Sequence, residues 1–164
     1  WNPFVISTLA KRDDVRVLFD STKIPNEIID SVVVARESLA REGGEAFACA
    51  VIDAFYQVNA AIADPAKRNE TLIAIGEKFA DVSLEDMEKV VQQTKFYSTP
   101  DEGAALLTGG ELPKIMERVV DFSASHGIVE SKPALGFGDA ASSPNAAVRF
   151  DAGYIQKVKA GPAK

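Results

Sequence analysis

The feature that most constrains this chain is an imbalance between strands and helices. Only two segments read as strands. Val15-Arg16-Val17-Leu18-Phe19 is a compact apolar run ending at Asp20-Ser21, and Ser31-Val32-Val33-Val34-Ala35 is β-branched and nearly uninterrupted, the pattern of strands covered on both faces. Both are expected in a buried, mixed sheet. Between them, residues 20–30 start polar and are fixed by Pro25, a loop with room for one helical turn. Two strands are too few to cover the helices that follow, because sheets usually carry about four to six and a lone pair is marginal. The missing strands are therefore expected outside this chain, and the abrupt opening Trp1-Asn2-Pro3-Phe4 supports a cut from a longer protein.

From about Arg36 the signals are helical. Glu45 to Ala63 places Phe47, Ala50, Val51, Ala54, Phe55, Val58, Ala61 and Ile62 at spacings of three and four, a long amphipathic helix whose wide apolar face should pack on the sheet. Asp64-Pro65 is a restart signal, and Leu72, Ile73, Ile75 and Phe79 form the next apolar face. Ser83 should cap a helix carrying Met87, Val90 and Val91. Thr99-Pro100-Asp101-Glu102 has the composition of a capping box with a first-turn proline, for a helix ending at Gly109-Gly110. The next helix carries Ile115, Met116, Val119, Val120 and Phe122, with His126 in its last turn and Gly127 where a left-handed cap belongs. Lys132 to Asn145 is rich in Gly, Pro, Ser and Ala and reads as a long surface loop. Phe150-Asp151 introduces a short terminal helix through Tyr154, Ile155 and Val158.

At 164 residues, 46% hydrophobic and 26% charged, the chain has the composition of an ordered globular unit. Its net charge of −6 argues against nucleic acid and anionic membrane as partners, which favour clustered Lys and Arg. There is no run of roughly 18 uninterrupted apolar residues and no basic-then-apolar secretion signal. The one cysteine, Cys49, lies among apolar residues and reads as a small buried hydrophobe, with no cation in its flanks to activate it.

Several segments carry a family resemblance. Trp1-Asn2-Pro3-Phe4, the Val15 to Phe19 strand and the run from Asp20 through Asp30 into Val32-Val33-Val34 resemble the second half of the nitrate/sulfonate/taurine class of ABC-importer binding proteins. Phe96-Tyr97-Ser98-Thr99-Pro100, Leu112-Pro113-Lys114-Ile115-Met116, Phe122-Ser123-Ala124-Ser125-His126-Gly127 and Val148-Arg149-Phe150-Asp151 are similar to a subgroup associated with urea-type uptake. The resemblance implies an α/β, two-lobed periplasmic-binding-protein fold of type II, with ligand held in a closing cleft, of which this chain is mainly the helical C-terminal part. Residues 1–30 would belong to the second lobe and cleft edge, 31–35 to a crossing strand or hinge, and 36–164 to the helical part of the first lobe. It also implies a periplasmic or lipid-anchored location, a signal or lipoprotein leader on the whole protein, and two partners besides the ligand: the membrane permease and the N-terminal half.

By the same resemblance, Trp1 and Asn2 stand at the cleft, where a flat apolar wall and an amide suit a small planar polar solute. Their plainer roles are a core anchor and a turn former before Pro3. If Pro25 opens a helical turn, Glu27 and Asp30 share one face and could accept hydrogen bonds from urea or a guanidinium ion, although acids in a first turn also serve the helix dipole. Asp20 and Ser21 are further ligand candidates, and equally ordinary turn residues.

Elsewhere structural readings suffice. His126 is accounted for by terminal helix carbonyls, with no second His or Cys at metal spacing. Gly136-Phe137-Gly138 lacks the strand before and helix after that a phosphate loop needs. Glu85-Lys89 and Glu88-Gln92 read as a solvated face, and Met87 and Met116 as core fillers. No catalytic residue, metal or cofactor is expected. The competing enzyme reading, a pyrimidine-precursor synthase of the same fold family, would need a cysteine-rich metal segment and a cofactor lysine, and Cys49 stands alone. A nitrate-, sulfonate- or taurine-binding protein is the alternative within the transport class, and a ligand-sensing receptor domain is a third reading.

Overall fold

Two of the helices begin on side-chain caps that the sequence signals. The computed structural model describes residues 4–24, 31–79 and 82–161. In chain order its elements are α1 (Phe4–Lys11), a 3-10 turn (Ser21–Lys23), α2 (Arg36–Leu39), α3 (Gly44–Ala63), α4 (Arg68–Phe79), α5 (Leu84–Gln92), α6 (Pro100–Thr108), α7 (Glu111–Ser125), β1 (Leu135–Phe137), β2 (Val148–Phe150) and α8 (Gly153–Ala160). The chain is thus mainly helical with one small sheet, within the α/β class.

The Ser83 hydroxyl accepts from the Asp86 amide at 3.2 Å and starts α5. Thr99 Oγ1 accepts from the Glu102 amide at 3.3 Å, and the Glu102 carboxylate accepts from the Thr99 amide at 3.2 Å, which closes the capping box of α6. Asp64 does organise a restart, its Oδ1 accepting from the Ala66 amide at 2.9 Å, but residues 64–67 form a turn and α4 starts at Arg68. Gly127 has a φ of 68°. With the Ile128 amide on Ser123 O at 2.8 Å and the Gly127 amide on Ala124 O at 3.2 Å, it completes a Schellman stop to α7. The 3-10 turn at Ser21–Lys23 supplies one helical turn in the expected loop; α1 was not legible beforehand.

Neither expected strand forms. Val15–Phe19 and Ser31–Ala35 lie outside helix and sheet, with Leu18, Phe19 and Val33 exposed by 77, 78 and 91%. Pairing, not propensity, accounts for the difference: a β-branched run fits a half-buried pleat, and among the described residues no strand lies beside either segment to make one. The strands that do form lie partly in the stretch read as a surface loop. β1 and β2 pair in parallel, with Leu135 opposite Val148, Gly136 opposite Arg149 and Phe137 opposite Phe150. The Phe137 and Phe150 rings stack at 5.3 Å and 11°. A Cβ on Gly136 would sit 2.5 Å from the Ser143 Cβ and 2.6 Å from that of Ala146. Glycine is there because the loop joining the strands folds down onto β1.

Two compact units are distinguished, Trp1–Lys23 with Phe55–Ser98, and Ile24–Ala54 with Thr99–Lys164. In the first, Ile62, Leu72 and Met87 form the core, flanked by Ile75, Val82, Leu84 and Val91. Arg68 ties α4 to α5 through Nε to Glu88 Oε1 at 2.9 Å and Nη2 to Oε2 at 2.6 Å, and its Nη1 donates to Ile62 O at 3.0 Å. In the second, α6 packs on α8, Lys159 pairs with Asp101, and Leu112 and Ile115 of α7 are buried.

The buried side of α3 is only partly the expected one, with Ile62 buried and Val51 and Ala61 half-buried. Ala48, Asn59 and Ile62 are buried, whereas Phe47, Phe55 and Val58 are exposed by 72, 50 and 42%. The expected packing of that apolar face on a sheet is absent among the described residues, because the only sheet found there is the β1–β2 pair. By length and composition α3 would also cross a bilayer, with a mean hydropathy of 1.5 over an 18-residue window of which 17% is buried. An ionised Asp53 at the middle of such a span would cost about 3 kcal/mol.

Candidate functional site

Four of the expected ligand residues, Trp1, Asn2, Glu27 and Asp30, lie outside the described residues. Asp20 and Ser21 lie within them. At the end of the Val15–Phe19 segment, Asp20 Oδ1 accepts from the Thr22 amide at 3.0 Å and from the Thr22 hydroxyl. The Lys23 amide closes the turn on Asp20 O at 3.1 Å. These bonds, the Thr22 hydroxyl foremost, with a smaller contribution from the Lys23 charge, hold the Asp20 carboxyl below its usual range. It is therefore ionised at neutral pH. The turn uses only Oδ1, and among the described residues Oδ2 has no hydrogen-bond partner. Ser21 opens the 3-10 turn, so the two residues occupy the turn positions their sequence allowed, with one carboxylate oxygen left for a donor.

Beside this turn, α1 and the Val15–Phe19 segment line an open groove of about 390 Å³. Phe4, Leu9, Val17, Leu18 and Phe19 give it apolar walls, and Thr8 and Arg16 are its polar members. The Thr8 hydroxyl is spent on Phe4 O at 2.8 Å. The groove thus offers apolar contact with Asp20 next along the chain, an arrangement suited to a small flat solute that donates hydrogen bonds.

The other singled-out residues have structural roles. His126 Nδ1 lies 2.9 Å from Phe122 O and 3.0 Å from Ser125 Oγ. The ring stacks on Phe122 at 3.9 Å and 25°, an end-of-helix role of the kind expected. Met87 is buried in the core and Met116 half-buried. Glu85 and Lys89 pair at 3.0 Å on an exposed face. Glu88 is a correction: with Arg68 it forms a bidentate tie in which both side chains are 30% exposed, not a solvated face. Its partner lies on the preceding helix, beyond any i,i+4 reading.

Cys49 is half-buried. Elsewhere on the same unit, Lys157 is 2.6 Å from Glu45, and its pKa is raised, chiefly by that hydrogen bond. Asn59 escaped the sequence reading altogether. It is 4% exposed, and its Nδ2 has no hydrogen-bond partner among the described residues. Among the described residues no three His, Cys, Asp or Glu side chains gather as a metal site. Comparison with protein-family models, with curated proteins and with solved structures finds no match.

Proposed function

We propose that this chain is the C-terminal portion of the solute-binding component of an ABC importer, periplasmic or lipid-anchored outside the cytoplasm. It would capture urea or a guanidine-like solute and pass it to the membrane permease. The observation that carries this reading is Asp20, ionised, fixed through one oxygen and with no partner for the other among the described residues, beside an apolar groove. A carboxylate so placed favours a ligand rich in N–H donors. It disfavours nitrate or a sulfonate, since two facing anions in a closed cleft cost several kcal/mol. The ordered resemblance of segments from Trp1 to Asp151 supports the reading, as do two apolar extended segments whose neighbouring strands would come from the N-terminal half. Trp1, Asn2, Glu27 and Asp30 complete the proposed contacts. Titration calorimetry of the full-length protein against urea, guanidinium, nitrate and taurine tests the proposal. Binding of urea or guanidinium is expected, weakened roughly tenfold to a hundredfold when Glu27 or Asp30 is replaced by Ala. Tight binding of either anion, without response to the first two, refutes it.

A further inference from the structure

We propose that a second groove, between α7 and β1, binds a small organic monocation with a flat apolar body, of the class of a protonated arylalkyl amine. It lies wholly within the Ile24–Ala54 and Thr99–Lys164 unit, so the proposal stands apart from the transport reading. The groove encloses about 390 Å³, and Pro113, Val120, Leu135 and Phe137 give it an apolar lining. Stacking on Phe150 fixes the Phe137 ring, leaving a rigid aromatic surface instead of a mobile one.

The charges decide the ligand class. Glu117 and Asp121 both line the groove, four residues apart on α7 and therefore on one helix face. Asp121 is neutralised by Lys132, whose Nζ lies 2.6 Å from its Oδ1. Glu117 is not neutralised. Lys114 is turned to Glu111 at 2.8 Å, and the charge of Arg118 is felt at Glu111; no described residue pairs with Glu117. The groove therefore keeps one uncompensated negative charge at the edge of an apolar pocket. An ammonium group against Glu117, with a ring laid between Val120, Leu135 and Phe137, satisfies both features. A carboxylate ligand meets like charge, and a neutral one forgoes the ion pair.

Because Glu117 is exposed, the ion pair adds modestly, about two- to fivefold in affinity, and salt weakens it. A ligand of this size in an open groove should bind at about millimolar strength. The test is an amide chemical-shift titration of the full chain with phenethylammonium, benzyl alcohol and phenylacetate. Saturable shifts at Val120, Asp121, Leu135 and Phe137 are expected for the amine, weaker ones for the alcohol, and the weakest for the acid. Glu117→Gln should weaken the amine about two- to fivefold and bring it level with the alcohol. Lys132→Gln, which frees the Asp121 charge, should strengthen it by a similar factor. Equal binding of amine and acid, indifference to Glu117→Gln, or no saturable shift at these amides with 20 mM amine (roughly twentyfold the expected Kd) would overturn the proposal.

Discussion

Replacing Leu72 by Ala probes the small core on which α4 and α5 depend. Leu72 is fully buried, against Ile62 and Met87, and its substitution removes three carbon atoms from their midst. Buried Leu→Ala changes cost about 2 to 5 kcal/mol, the larger values where the surroundings cannot collapse. Here the outer shell of Ile75, Val82, Leu84 and Val91 is only partly buried, so it can close in or admit water. The lower part of the range, about 2 to 3 kcal/mol, is therefore expected. Hydrogen exchange read by mass spectrometry supplies the assay, because protection of α4 and α5 reports their opening free energy directly. The variant should exchange about 30- to 150-fold faster in those helices. Ile73 is the control. It is 42% exposed one residue away, and Ile73→Ala should change protection by a factor of about 2 at most. Equal effects of the two substitutions, or an unchanged rate in Leu72→Ala, would show that this cluster does not hold the helices together.

Four other outcomes are expected. Thr99→Ala removes the bond from the Glu102 amide to Thr99 Oγ1, leaves the Thr99 amide to donate to the Glu102 carboxylate, and should cost about 1 kcal/mol, seen as roughly fivefold faster exchange in the first turn of α6; no change would mean Pro100 alone sets the start. Gly136→Ala must push residues 143–146 away from β1 and should cost about 1 to 3 kcal/mol, read as lost protection in both strands. Arg68 holds the Glu88 carboxyl below its ordinary value of 4.5, so the tie contributes fully above that pH and is lost as pH falls through the depressed value. Glu88→Gln should therefore flatten that acid limb of a stability-versus-pH curve, and an unchanged limb would assign it to other acids. The chain alone should bind the dye ANS, because Phe47, Phe55, Leu18, Phe19 and Val33 are exposed; a dye-silent monomer with a sharp thermal transition would refute this.

What was legible in the sequence is what nearest neighbours decide. A cap needs three or four consecutive residues, and the Ser83, Thr99 and Gly127 signals each mark a helix boundary where they stand. A long 3-4 pattern needs nothing beyond its own helix to exist, so α3 lies where Glu45 to Ala63 placed it. Its buried side, however, depends on what stands beside it, and the pattern alone could not say that Phe47 and Phe55 would face outward. The Arg68–Glu88 tie was hidden for the same reason: its partners are 20 residues apart. Of the candidate ligand residues, Asp20 and Ser21 were legible as turn residues, because an Asx turn is local.

The strands make the same point from the other side. Val15–Phe19 has strong β composition and no ladder, while Leu135-Gly136-Phe137 has a glycine at its centre and does pair. A strand exists only when a second backbone meets its hydrogen-bonding groups, and here that second backbone is Val148–Phe150, brought in by a loop that needs Gly136 to come close. Composition records how well a residue fits a pleat and leaves open where the neighbouring strand comes from. Exposed apolar segments with open backbone edges are a liability that folded proteins normally cover. The exposure of Leu18, Phe19 and Val32–Val34 is therefore apolar surface for which the proposed reading supplies a cover, strands from the N-terminal half.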